Sequence, residues 1–182
     1  EEGAAFLYFG GAGVFNTVAD AQLESNQANA ILGSSVSGAG DVNGDGFADV
    51  IVGAQLYGNG ESGEGAAFVY FGGAGAFNST ADAQLESNQA SAQLGISVAG
   101  AGDVNSDGFA DVLVGAERFD NGQTDEGAAL IYFGGAGVFN STADALLESN
   151  QASARLGSSV AGAGDINGDG FADVLVGAYF YD

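Results

Sequence analysis

The stretch Asp41-Val42-Asn43-Gly44-Asp45-Gly46-Phe47-Ala48-Asp49 places side-chain oxygens at loop positions 1, 3, 5 and 9 and a glycine at position 6. It recurs as Asp103 to Asp111, with Ser106 in place of Gly44, and as Asp165 to Asp173, with Ile166 in place of Val42. Oxygens gathered this way suit a hard cation: Ca²⁺ takes six to eight of them at about 2.3–2.6 Å in a flexible shell. The glycine permits the sharp turn that returns late donors towards early ones. Asp41, Asn43, Asp45 and Asp49 are the candidate side-chain ligands, and Phe47 offers its backbone carbonyl. That leaves the Phe47 side chain apolar and expected to face a core. The matching sets are Asp103, Asn105, Asp107 and Asp111 with the Phe109 carbonyl, and Asp165, Asn167, Asp169 and Asp173 with the Phe171 carbonyl. The expectation is three Ca²⁺ per chain. A metal-free Asx-turn loop is the rival reading. Against it stand the threefold recurrence with every donor retained and the mutual repulsion of three carboxylates within nine residues.

The loop resembles the first half of an EF-hand loop, but position 12 is Val52, Val114 or Val176 where an EF-hand carries Glu. The Asp at position 9 must therefore close the shell, and the residues after it read as a strand. Catalysis has little to work with. The chain has no His, Cys or Lys, and no Ser lies near a base in the sequence. The clustered carboxylates are accounted for as metal ligands. A catalytic metal needs an open position, whereas three near-identical loops read as structural. The chain is expected not to be an enzyme.

The 182 residues suit one domain. Two basic residues, Arg118 and Arg155, face 24 acidic ones, for a net charge of -22. Nucleic acid is excluded, because phosphate binding needs Lys and Arg, and an anionic membrane surface is excluded with it. Three Ca²⁺ would leave about -16, so the loops explain only part of the acidity. The rest keeps the surface solvated. The lack of Cys rules out a disulfide framework. No apolar run approaches the roughly 20 residues of a membrane span. The sequence carries no Met at all, which suggests a processed chain or a fragment. Its 33 glycines fall at fixed places in a repeat, which argues for ordered turns.

That repeat positions the loops. Glu2 to Gly11 returns at Glu64 to Gly73 and Glu126 to Gly135, and both this series and the acidic loops have a period of 62. The chain reads as one segment, 1–182, with repeats at 1–62, 63–124 and 125–182, each offset from the structural unit. A 62-residue period exceeds the usual solenoid unit and fits four short strands, as in a propeller blade. Residues 3–9 read as a strand apolar on both faces, and hence buried in stacked sheets. Residues 20–25 alternate and suit an outer edge. The competing reading there is a short helix over 79–94, since Ser79-Thr80-Ala81-Asp82 passes for a capping box. Residues 33–40 are small and suit a crowded axis. Residues 50–54 form a continuous apolar run, and Asn59-Gly60 is a turn signal. Each unit thus has a small inner strand, two buried strands and an alternating outer one, with the acidic loop joining the first two. Glu24, Glu86 and Glu148 are read as solvated charges of the outer edge, which discourage edge pairing.

Leu32-Gly33-Ser34-Ser35-Val36, Gly40 to Gly46 and Asp49 to Ala54 resemble the FG-GAP repeat of integrin alpha subunits and of many bacterial extracellular proteins. Gly65 to Phe71 looks like that family's third strand. The resemblance covers essentially the whole chain. It implies an all-β propeller of four-stranded antiparallel blades, usually seven, with Ca²⁺ in the loop between the first two strands of a blade. It implies the same ligands already named, at 41–49, 103–111 and 165–173. The family's Phe-Gly is Leu32-Gly33, Leu94-Gly95 and Leu156-Gly157 here, and Gln55, Glu117 and Tyr179 replace the Pro of its Gly-Ala-Pro.

The sequence starts on a third strand and stops on a second, and so holds three blade-equivalents. Propellers need four to eight. Strands within 3–25 and 156–180 are complementary, and the expectation is that they pair head-to-tail between chains, with a six-bladed dimer favoured over nine blades or a filament. A piece of a longer array is the rival. The function expected from the resemblance is an extracellular or cell-surface, secreted, calcium-stabilised, non-catalytic adhesion or structural module with a protein or glycan ligand. The alternative is a multivalent lectin with sites between blades, for which Tyr8, Tyr70 and Tyr132 are stacking candidates. An aromatic alternating in a buried strand more often belongs to a core. Asn78-Ser79-Thr80 and Asn140-Ser141-Thr142 fit the glycosylation sequon, although chance in a Ser/Thr-rich loop is the simpler account.

Overall fold

The computed structural model describes residues 1–13, 15–137 and 139–182. Among the described residues there are twelve strands and no helix. β1 (Ala5–Leu7) and β2 (Ala21–Leu23) form a hairpin. β3 (Leu32–Gly40), β4 (Asp49–Ala54), β5 (Ala66–Tyr70) and β6 (Ala83–Glu86) make the first complete antiparallel blade, in sequence order. β7 (Leu94–Gly102), β8 (Asp111–Ala116), β9 (Ala128–Tyr132) and β10 (Ala145–Glu148) make the second. β11 (Leu156–Gly164) and β12 (Asp173–Ala178) form a last hairpin. The architecture is an open run of propeller blades, two complete and flanked by two halves.

The register repeats as the sequence does. Val50 pairs with Tyr70, Val52 with Phe68 and Ala54 with Ala66 across β4 and β5. Val112, Val114 and Ala116 pair likewise with Tyr132, Leu130 and Ala128. In the 79–94 segment, the Asn78 Oδ1 accepts from the Thr80 amide and the Asp82 carboxylate accepts from the Phe71 amide. Those bonds hold the chain in a turn and pin it to the third strand, so Asp82 clamps a sheet and caps no helix.

The core lies between the blades. Ala66, Phe68 and Tyr70 face one side with Leu23, Leu32 and Val52, while Ala67 and Val69 face the other with Leu94, Val98 and Val114. β5 and β9 are therefore buried along their whole length, as a strand apolar on both faces requires. Fully burying a Leu, Val, Ile or Phe stabilises by about 1.5–3 kcal/mol, and Leu32, Ile51, Leu85, Leu94 and Leu113 are all buried.

The inner strands β3, β7 and β11 stack on one another because they carry almost no side chain. A Cβ on Gly100 would lie 2.6 Å from the Gly38 carbonyl oxygen. Neighbouring blades are also joined by backbone, with the Leu94 amide donating to the Glu64 carbonyl and the Leu156 amide to the Glu126 carbonyl, both at 2.9 Å. Two of the departures from Gly-Ala-Pro add a polar tie. The Tyr179 hydroxyl donates to Glu117 at 3.2 Å, and Arg155 reaches the same carboxylate at 3.2 Å.

Candidate metal centre

Each acidic loop joins the innermost strand of a blade to the second. In the first, one Asp41 oxygen accepts the amides of Gly44 (2.8 Å) and Asp45 (3.0 Å), and the other accepts that of Gly46 (2.9 Å). Asn43 Oδ1 accepts from the Asp45 amide and Asp45 Oδ1 from the Phe47 amide, both at 2.9 Å. Short polar side chains thus wind the backbone around themselves, as Asx turns do. Position 6 requires a left-handed backbone, at φ 89° for Gly46, 92° for Gly108 and 93° for Gly170. The other loops repeat the pattern: Asp103 accepts from Asp107 and Gly108, and Asp165 from Gly168, Asp169 and Gly170.

The position-9 carboxylate does a different job. Asp49 is 1% exposed, and its oxygens accept the Val42 amide (2.8 Å) and the Gly72 amide (2.7 Å). Asp111 is fully buried and accepts from Val104 and Gly134, both at 2.8 Å. One side chain therefore ties the loop's start, the second strand and the end of the third. Asp173 receives the Ile166 amide at 2.7 Å and has no third strand beside it. Burial pushes the Asp49 and Asp111 carboxyls above the usual range. The two amides oppose that shift, and the charges at positions 5 and 1 of the same loop add to it. Asp165 is held below the usual range, chiefly by the Gly170 amide.

The donor chemistry fits a hard cation. Each loop carries three carboxylates and an amide oxygen within nine residues, and in the first two loops the charges at positions 5 and 1 add to the upward push on the position-9 carboxyl. Among the described residues, however, no three His, Cys, Asp or Glu side chains converge to hold a metal ion, because positions 1 and 9 turn their oxygens to backbone amides. The expected core-facing phenylalanine is also placed differently. Phe47 and Phe171 are each 44% exposed. Phe109 is half-buried and lies across Gly44 of the preceding blade's loop, where a Cβ would collide with its ring. The Phe109 side chain is thus a spacer between two loops. Backbone links the loops as well, through Ala110 N–H to Asp41 O (3.0 Å) and Ala172 N–H to Asp103 O (2.9 Å).

Of the three tyrosines considered for stacking, Tyr70 and Tyr132 are each 1% exposed, and burial pushes the Tyr70 phenol up to about 12. Only Tyr8 is exposed, beside β1. Of the outer-edge glutamates, Glu24 is exposed as expected, whereas the other two are less solvated. Glu86 is half-buried and accepts from the Asn59 side chain at 2.6 Å, and Glu148 accepts from Asn121. Glu64 and Glu126 were given no role by the sequence, yet both are fully buried. Glu126 accepts the Asn121 and Gln123 amides at 2.7 and 3.1 Å and so shapes the loop before the third strand. The signal was present in the Glu that opens every copy of the Glu2-to-Gly11 series.

The FG-GAP repeat model matches residues 32–70, 94–132 and 156–182. Each match begins at an inner strand, and the first two end with the third strand of the same blade. The chain is similar to Integrin alpha-5 of Xenopus laevis, 33% identical over 169 residues, covering 88% of this chain and 16% of that protein. It is similar to human Integrin alpha-6, 36% identical over 140 residues, covering 76% of this chain and 12% of that protein. It is similar to mouse Integrin alpha-IIb at 33% over 166 residues, covering 87% of this chain and 16% of that protein. The chain spans less than a fifth of the length of these relatives. Three matched repeats, each starting at an inner strand and two of them running to the third strand of a blade with the corresponding strand order, establish that this chain belongs to the FG-GAP repeat family.

Proposed function

We propose that the chain is an extracellular, calcium-braced, non-catalytic module for adhesion or scaffolding, with Asp, Asn and Asp at loop positions 1, 3 and 5, the position-7 carbonyl and the position-9 Asp holding one Ca²⁺ in each loop. The observation that carries this reading is the position-9 Asp. It is buried, it joins three segments of each complete blade, and its carboxyl is pushed up partly by two acidic neighbours. A cation beside it would relieve that repulsion and stiffen the joint. Membership of a family that includes the integrin alpha chains supports an extracellular setting. So does the charge of -22, which disfavours nucleic acid and anionic membranes.

The test is thermal melting with calcium against chelator, together with a calorimetric count of bound ions. Extracellular sites have Kd on the order of 10⁻⁴–10⁻³ M. Calcium at 10 mM then adds about 1.4–2.7 kcal/mol per loop by mass action. Three ions per chain and a clear rise in Tm are expected; an identical melt in chelator would overturn the brace. The lectin alternative loses Tyr70 and Tyr132 as platforms and retains Tyr8, so a glycan array without hits would leave the scaffold reading alone.

A further inference from the structure

We propose that Asn59 and Asn121, each followed by glycine in the loop between the second and third strands of a blade, are sites of spontaneous deamidation, and that this modification loosens the joint between the third and fourth strands. The backbone nitrogen of the glycine attacks the side-chain carbonyl carbon of the asparagine. The new N–C bond closes a succinimide as the bond to the side-chain nitrogen breaks, and that nitrogen leaves as ammonia with the proton the glycine gave up. Water then opens the ring at either carbonyl and leaves aspartate or isoaspartate. Glycine favours the attack because it has no Cβ to obstruct it and few backbone angles are closed to it.

Asn-Gly pairs stand at 43–44, 59–60, 121–122 and 167–168, and the structure separates them into two kinds. In the acidic loops both reacting groups are tied. Asn43 Oδ1 accepts from the Asp45 amide at 2.9 Å while the Gly44 amide donates to Asp41 at 2.8 Å. Asn167 Oδ1 accepts from the Asp169 amide at 2.8 Å while the Gly168 amide donates to Asp165 at 2.6 Å. In the loops between the second and third strands neither group is tied. Among the described residues, the Oδ1 atoms of Asn59 and Asn121 accept no hydrogen bond and the Gly60 and Gly122 amides donate none. Both glycines are exposed, at φ 122° and 108°, with nothing within 4 Å of a Cβ built on either. Freedom is confined to the tip. Gln27 brackets Gly58 with two bonds of 2.8 Å, and Gln89 brackets Asp120 at 2.9 and 2.7 Å.

The amide lost in the reaction is a donor that the acid cannot replace. Asn59 donates its backbone amide to Glu64 and its side-chain amide to Glu86 at 2.6 Å. Asn121 donates likewise to Glu126, at 2.7 Å, and to Glu148. Glu64 and Glu126 lie just before the third strand, and Glu86 and Glu148 end the fourth, so one asparagine joins the two strands. Each buried glutamate already has an Oε2 without a partner. Deamidation sets a new carboxylate against Glu86 or Glu148 and beside that buried carboxyl, and like charges so placed repel. Isoaspartate also lengthens the main chain inside a loop clamped at both ends. None of these groups is a proposed calcium ligand, so the inference survives failure of the calcium brace.

The test is prolonged incubation of the 182-residue chain near neutral pH, in calcium and in chelator, followed by proteolysis and mass spectrometry of the four Asn-Gly peptides. Asn59 and Asn121 should convert first under both conditions. Asn43 and Asn167 should convert roughly tenfold more slowly or less, because their loops must first open locally. In concentrated urea, where the folded contacts are gone, the four rates should converge. Conversion of Asn43 or Asn167 as fast as Asn59 in the folded chain, or no conversion of Asn59 and Asn121 short of unfolding, overturns the proposed sites. The Asn59→Asp variant should melt about 2–4 °C below the parent, and adding Glu86→Gln should recover most of that loss by offering the new carboxylate an amide donor. An Asn59→Asp chain that melts with the parent, or one that Glu86→Gln does not rescue, overturns the loosened joint.

Discussion

Replacing Asp111 separates its two roles, amide clamp and cation ligand. Asp111→Ala leaves the buried amides of Val104 and Gly134 without acceptors. Hydrogen bonds to a charged acceptor contribute about 1.5–3 kcal/mol each, so the loss is about 3–6 kcal/mol. At about 2–4 °C per kcal/mol for a chain of this size, the melting temperature falls by about 6–24 °C, with or without calcium. Asp111→Asn keeps the shape and an oxygen for one amide, and it removes a buried charge that Asp107 and Asp103 repel. Those effects oppose, and in chelator the net change is within about 1 kcal/mol. In calcium the same variant loses one of three ions, so the calcium-induced rise in Tm shrinks by about a third. The assay is a pair of melting curves per variant, one in excess chelator and one in 10 mM calcium. An Asp111→Asn protein with the full calcium response would refute position 9 as a ligand. An Asp111→Ala protein as stable in chelator as Asp111→Asn would refute the clamp.

The raised carboxyls at Asp49 and Asp111 give the calcium-free chain an inverted acid response. Because the folded state binds their protons more tightly than the unfolded state, their contribution is present below the unfolded value near 3.8 and is lost as pH rises through the folded value. Denaturant midpoints in chelator should therefore rise on mild acidification from neutral pH, whereas in calcium they should fall as protons compete with the ion; a fall in both would contradict the burial of these groups. Gly115→Ala drives a Cβ into the Gly157 carbonyl of the next blade and should cost about 1–3 kcal/mol or more. Gly177→Ala meets only the Ser159 side chain as its nearest contact and should change stability by less than about 0.5 kcal/mol. Chemical denaturation of the two variants reads the difference.

The strand order was legible because the 62-residue period repeats every structural choice, so the two-faced strands at Ala66–Tyr70 and Ala128–Tyr132 declared both sides of the stack at once. The inner strand was legible from its lack of side chains, which only a crowded axis requires. The oxygen-bearing residue types of each acidic loop were visible too, at fixed positions. The task of each oxygen was not. Asp41 and Asp49 look alike in sequence, yet one accepts amides within its own loop and the other bonds the end of the third strand, a contact 23 residues away that no local pattern encodes. Glu64 and Glu126 were overlooked for the opposite reason: a carboxylate beside a polar turn looks solvated until the loop closes over it. Phe47, Phe109 and Phe171 were expected in a core because apolar rings usually lie there, and the row of loops was the alternative surface.

That row connects the metal chemistry to the packing of blades. The Asp41 carbonyl accepts the Ala110 amide and the Asp103 carbonyl accepts the Ala172 amide, so each loop holds the next by its backbone. A cation that stiffened one loop would therefore stiffen the carbonyl that anchors the following loop, and by linkage each bound ion would favour the next.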